Sequence, residues 1–357
     1  MGHDEQQERG SGHLLLFPFL AQGHLIPFLN LAKRFESLEQ CGGSGQRRLV
    51  ITIVSTPRNV ASLRRALPAG SSIDFAELPF SPSDHGLPPD AESADAVPVH
   101  AFPTFSFATE LLRPSFEKLQ TELAGRQGRK NVCVLADMFL GWTAEIARAL
   151  GVQHRMFLTN GAYASAVIFS IWLRPPLFPR SAGPDDELAL PVFPDVRVRY
   201  MEFLNVVLNE DYGTGQSVVV HGWAQQVRIL AHESTGAFLS HCGWNSVLES
   251  LWHGVPVVGW PLIGDQLFDS RLLVELGVGV EVASGRCFGG LGSEGWERVR
   301  DVVETVLGDG DKAKDMRRKA AEMKKLARAA VGAADGDGKG KGSSVLAMER
   351  LVDSAFD

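Results

Sequence analysis

With 357 residues, 45% hydrophobic and 22% charged, the chain has the balance of an ordinary soluble protein and is long enough for two domains. A formal charge of −7 argues against a nucleic-acid partner, and Cys41, Cys133, Cys242 and Cys287, with no CxxC spacing, argue for reduced thiols and against a zinc site. The polar start MGHDEQQERGSG is unlike a secretory signal, and no apolar run approaches the roughly 20 residues of a membrane span, so a cytoplasmic protein without membrane insertion is expected.

In chain order, residues 1–12 read as a disordered tail and His13 to Phe19 as a buried strand. Leu25 to Leu38 follows as a helix with Pro27 in its first turn, where proline is tolerated. Leu49 to Val54, a weaker Ser72 to Phe75, and Val132 to Ala136 are further strands. Phe80 to Phe107 reads as variable loops, Ala144 to Leu150 as a helix and Arg155 to Leu158 as a short strand. Strands alternating with helices predict an α/β fold with parallel sheets covered on both faces, whose ligand crevice lies at the carboxyl ends of the strands. Two ionisable residues fall at such ends. His24 follows the first strand, and Asp137 follows the fourth. A carboxylate on one imidazole nitrogen fixes the tautomer and leaves the other nitrogen to act as a base.

The densest pattern is Trp223 to Gln266, WAQQVRILAHESTGAFLSHCGWNSVLESLWHGVPVVGWPLIGDQ. Gly236 to His241 reads as a strand, Cys242 to Trp244 as a tight turn, and Asn245-Ser246 as the cap of a helix ended by Gly254 and Pro256. A strand that turns through glycine into a helix N-terminus offers free backbone N–H groups and a positive dipole end, which suit a diphosphate. His241 and Ser246 can donate to its oxygens. Glu249, one turn further along the same face, suits ribose hydroxyls. Trp223 offers a stacking face for a base, and Asp265-Gln266 supplies groups for sugar hydroxyls.

This segment resembles the signature box of the plant family 1 UDP-dependent glycosyltransferases in length and at Trp223, Ala224, Gln226, His232, Gly236, Phe238, His241 to Ser246, Glu249, Ser250, Gly254, Pro256, Trp260, Pro261, Asp265 and Gln266. Gln225 departs from it, since the family usually has proline there. The resemblance implies two Rossmann-like domains of the GT-B type facing a central cleft, with transfer of a sugar from a UDP-sugar to a small lipophilic acceptor. It implies His24 and Asp137 as the catalytic dyad, on the matches Gly23-His24-Leu25-Ile26-Pro27 and Asp137-Met138-Phe139. It further implies donor contacts from Trp223, Ala224, Gln226, His241, Gly243, Trp244, Asn245, Ser246, Glu249, Asp265 and Gln266, and from Thr159 through the looser match FLTNGA. Gln266 points to glucose, and UDP-glucose is then the donor substrate rather than a cofactor. No metal is required, and a flavonoid, phenolic or terpenoid is the expected acceptor class. The acid pairs Asp309-Gly310-Asp311 and Asp335-Gly336-Asp337 read as solvated loops rather than calcium sites. A monomer is expected.

The stretch before the box is short for this family. An acceptor domain is predicted over 13–203, a linker and deletion junction over 204–216, and a truncated UDP-sugar domain over 217–342, lacking roughly 100 residues, about the lower size range of a domain. The second sheet is left with strands near Ser217 to Val220, Gly236 to Ser240, Val255 to Val258 and Val278 to Val282, with edge and apolar surface uncovered. Trp296 to Leu307 and the basic Ala313 to Val331 read as helices, Gly332 to Ser344 as a flexible loop, and 343–357 as a terminal segment whose helix packs back on the first domain in relatives. The alternatives to an active transferase are a truncated, inactive relative and a non-enzymatic small-molecule binder.

Overall fold

Along the first strand, Leu14 and Leu16 point to one side and Leu15 and Phe17 to the other, and all four are buried, so this strand lies in the middle of a covered sheet. The computed structural model describes residues 11–40, 48–98, 101–174, 176, 183, 186–199, 225–282, 295–332 and 341–356. Contacts divide the chain into two units, Met1–Thr159 with Ser343–Asp357, and Asn160–Gly342.

In the first unit, β1 (Ser11–Phe17), β2 (Arg48–Ser55), β3 (Asp74–Glu77), β4 (Val132–Asp137) and β5 (Gln153–Phe157) form a parallel sheet in the order β3-β2-β1-β4-β5. The connecting helices are α1 (Gln22–Gln40), α2 (Pro57–Arg65), α3 (Phe102–Thr109), α4 (Arg113–Gln127) and α5 (Trp142–Leu150). Leu15, Phe17, Val134 and Ala136 pack with Phe105, Phe116 and Trp142 on one face. On the other face, Leu14, Leu16 and Leu135 pack with Phe28, Phe35, Val352 and Phe356.

Several expectations are corrected. The tail expected over 1–12 is shorter, because Ser11 and Gly12 already pair with Arg48 and Leu49; residues 1–10 lie outside the described ones. Gly12 is held against the Phe356 ring, which a methyl group there would overlap at 2.6 Å. The first helix starts at Gln22 rather than Leu25, since Leu25 N–H already bonds the Ala21 carbonyl. Part of the loop expected over 80–107 is α3, whose Phe105 is fully buried.

The second unit begins with α6 (Ala162–Leu173), so the division falls between Thr159 and Asn160 and not at 203. The physical reason is apolar: Ala164, Val167, Ile168 and Ile171 cluster with Leu190, Val198 and Phe268. The hairpin of β6 (Glu187–Ala189) and β7 (Arg197–Arg199) supplies two of these. Next come α7 (Gln226–Leu230), β8 (Phe238–Ser240), α8 (Trp244–His253), β9 (Val257–Gly259), α9 (Gln266–Glu275) and β10 (Gly279–Glu281). The strands form a parallel sheet in the order β10-β9-β8. Helices α10 (Gly295–Leu307) and α11 (Asp311–Ala330) follow, and α11 packs on α8 with Ala320 against Val247. Among the described residues β8 is an edge, with Leu239 49% exposed. The expected linker, deletion junction and strand 217–220 lie outside the described residues, as does most of the loop expected over 332–344. The last helix, α12 (Ser343–Ser354), belongs to the first unit, where the Arg155 guanidinium donates to the Ser354 carbonyl at 2.6 Å.

Candidate functional site

In the first unit, β1 leads through Phe19 and Leu20 into α1, which places His24 in the first helical turn rather than in the preceding loop. Asp137, the last residue of β4, is 1% exposed. Since β1 and β4 are neighbours in register, their carboxyl ends bring the two side chains together: His24 Nδ1 lies 2.7 Å from Asp137 Oδ2. The other carboxylate oxygen accepts from the Phe139 backbone N–H at 3.1 Å, which fixes the carboxylate plane. Thr159 Oγ1 is 3.0 Å from the same Nδ1, so Thr159 joins the dyad. Edge contacts from Phe19 and Phe139, each 5.5 Å between ring centroids, pack against the imidazole, and the two phenyl rings are themselves 5.1 Å apart. With Nδ1 engaged, Nε2 is the nitrogen left to meet a ligand.

In the second unit, β8 runs through Ser240, His241 and Cys242 into α8. Cys242 takes φ 65, in the left-handed region, and its N–H donates to the Ser240 hydroxyl at 3.0 Å. The helix N-cap is Gly243, with no side-chain cap bond, which corrects the expected capping by Asn245-Ser246. The first intrahelical bond is Val247 N–H to the Gly243 carbonyl. An α-helix start lacking a side-chain cap keeps its first N–H groups for another acceptor, the arrangement that anions use. A Cβ at 243 would collide with the His241 ring as it stands, so glycine lets that ring lie over the turn. His241 is solvent-exposed; neighbouring chain desolvates its ring and lowers its pKa, an effect that exposure limits.

Ser246 and Glu249 do share a face. The Gln226 amide donates to Ser246 Oγ at 3.2 Å and to Glu249 Oε2 at 2.8 Å, so three expected donor residues form one cluster across α7 and α8. Gln266 instead turns its amide oxygen to its own loop, accepting from Leu262 and Ile263 N–H at 2.9 and 3.1 Å. Asp265 is the residue before α9, and Trp244 and Asn245 open α8. Trp223 and Ala224 lie outside the described residues. Among the described residues no group of three or more His, Cys, Asp or Glu could hold a metal ion, and no helix is long and apolar enough to cross a membrane.

Sequence reasoning missed Gly161 and Asp269. A methyl at Gly161 would lie 2.8 Å from the Trp244 ring and 2.9 Å from Asp269 Oδ1. Asp269 is wholly buried, and its one legible signal was a second acid one helical turn after Asp265.

A family model described as "UDP-glucoronosyl and UDP-glucosyl transferase" matches residues 210–309. UDP-glycosyltransferase 92A1 of Arabidopsis thaliana is 28% identical over 484 positions, covering 96% of this chain and 97% of that protein. Crocetin glucosyltransferase 3 of Crocus sativus is 28% identical over 83% of this chain and 91% of its own. The first alignment runs over 484 positions against the 357 residues here, so it exceeds the whole chain by 127 positions. The crystal structure of Glycyrrhiza uralensis UGT73P12, complexed with glycyrrhetinic acid 3-O-monoglucuronide, superposes with a TM-score of 0.74 at 19% identity, over 97% of this chain and 96% of that one. That likeness gives the fold, two Rossmann-like units of the GT-B type. On the signature box, the family match and these relatives together, the chain is similar to the plant family 1 UDP-glycosyltransferases.

Proposed function

We propose that the protein transfers glucose from UDP-glucose to a hydroxyl of a small lipophilic acceptor, a flavonoid, phenolic or terpenoid, with inversion at the anomeric carbon. The observation that carries this reading is the His24–Asp137 pair at 2.7 Å, which holds one imidazole nitrogen and leaves the other for the acceptor. His24 removes the acceptor proton, the oxygen attacks the anomeric carbon from the face opposite UDP, and Asp137 stabilises the imidazolium that forms. The departing diphosphate gains charge against the start of α8 and His241. Gln226 and Glu249 meet the ribose. This scheme uses no metal. The name of the Crocus relative, a glucosyltransferase, supports the choice of sugar.

A transfer assay with UDP-glucose and a broad acceptor panel, beside His24→Ala, tests the reading. Turnover that falls by about 100-fold or more in the variant supports it, the range typical of a general base. Turnover insensitive to His24 sinks it.

A second reading, an inactive relative that still binds a small molecule, is favoured by the 484-position alignment against 357 residues. Protein that folds and binds UDP but turns over no donor, neither to acceptor nor to water, would establish it.

A further inference from the structure

Asp269, in the first turn of α9, is 0% exposed, and neither carboxyl oxygen has a hydrogen-bond partner. A buried carboxylate without a partner is among the costliest groups to hold, so the site accepts the neutral acid. Burial, and after it the charge of Asp265, push the Asp269 pKa up to about 8. Two pieces of chain close on this side chain. Gly161, the N-cap of α6, approaches so near that a methyl there would touch both Asp269 Oδ1 and the Trp244 ring. Trp244 is the first residue of α8, directly after the Gly243 cap. The neighbouring Ser270 donates to Glu281 at 2.8 Å. A methyl at Gly259 would meet Ser270 Oγ at 2.6 Å and Cys242 Sγ at 3.1 Å, so position 270 supports the left-handed residue of the same turn.

We propose that Asp269 is a positioning residue for the donor turn: as a neutral acid it lets Gly161 and Trp244 close upon it, and its ionisation displaces Trp244 and the 241–246 turn from the geometry that receives a nucleoside diphosphate. The proposal rests on the reading of that turn as the UDP site. The titratable and charged groups on the surrounding elements are Asp265 just before α9, Arg271 and Glu275 on α9, His241 and Cys242 on the turn, Glu249 and His253 on α8, Tyr163 on α6, and Glu281 on β10 with Arg199 at 3.7 Å; Arg271 donates to the Arg197 carbonyl. Of these, Asp265 is the charge that acts on Asp269, and no cation among the described residues pairs with it. Among the described residues ionisation therefore meets no hydrogen-bonded partner to offset its cost.

The test uses the whole chain as wild type, Asp269→Asn and Trp244→Phe. UDP binding is titrated by calorimetry from pH 6 to 9, and tryptophan fluorescence is followed without ligand over the same range, with Trp244→Phe identifying the Trp244 contribution. In wild type the UDP Kd should rise about ten-fold between pH 7 and 9, as the fraction with neutral Asp269 falls. Asp269→Asn, neutral at every pH, should lose that dependence. The Trp244 signal should shift in wild type over the same interval and stay level in Asp269→Asn. Parallel pH profiles for the two proteins, or a Trp244 signal indifferent to pH in wild type, overturn the proposal. Should neither protein bind UDP at any pH while the Trp244 signal still moves, the joint stands and the UDP-site reading fails. The ligand-free wild-type titration decides the matter if Asp269→Asn does not fold.

Discussion

In the proposed mechanism His24 works beside a carboxylate that is almost entirely shielded from water, with Asp137 1% exposed and 2.7 Å from the ring. Asp137→Asn keeps the shape but removes the charge that stabilises an imidazolium. Its turnover number should fall by about 100-fold, within the span general-base catalysis supplies, while UDP affinity, measured separately, stays near wild type. Asp269 makes a stability prediction of opposite sign to the usual acid. Its folded pKa, about 8, lies above the ordinary 3.8, so the folded state holds the proton more tightly than the unfolded chain. Its contribution is whole below pH 4 and is lost as pH rises toward 8, at up to about 1.4 kcal/mol per pH unit. Asp269→Asn should therefore be the more stable protein at pH 8 in urea unfolding; equal midpoints at pH 5 and pH 8 for the two proteins would contradict this. The dyad was legible because two strand-end residues matched a family pattern. Asp269 was not, because a lone acid in a helix gives no sign in sequence of being buried.

Among the elements, the turn proposed to receive the donor depends on a strand, one left-handed residue and an uncapped helix. Gly243→Ala puts a Cβ where the His241 ring lies, and the exposed ring must swing away from the turn to accommodate it. UDP affinity should fall by an order of magnitude or more, about 1.4 kcal/mol or above, in the same calorimetric titration. The strand and helix of this turn were readable from the apolar run and from Gly254, which ends α8 at φ 72. The capping assignment failed because Asn and Ser are also ordinary residues of a first helical turn, and only the backbone shows that Gly243 precedes them. Helix α12 has a packing role. Val352, Ala355 and Phe356 complete the core cluster of Leu14, Phe35 and Leu135. Phe356→Ala should cost about 3 kcal/mol, read as a shift in denaturant midpoint, since it empties the space above Gly12.

For the whole molecule, the decisive observation is that relatives align over 484 positions with a chain of 357 residues. Among the described residues β8 is an edge, with Leu239 49% exposed, and Leu248 on α8 and Val227 and Ile229 on α7 are 46%, 48% and 54% exposed. Apolar side chains beside an unpaired edge favour association. Light scattering should show concentration-dependent assembly, reduced in Leu239→Lys; a monodisperse monomer at high concentration would argue against it. The family resemblance, the proximity of His24 and Asp137 and the parallel α/β architecture were all legible in the sequence, because these depend on residue types at fixed spacings and on hydrophobic periodicity. Tertiary structure alone decided that the units divide at Thr159 and Asn160, that Gln226 bridges Ser246 and Glu249, and that Asp269 is buried under Trp244 without a partner. Each of these joins residues far apart in the chain, and burial and pairing across such distances are set by packing, which no local pattern encodes.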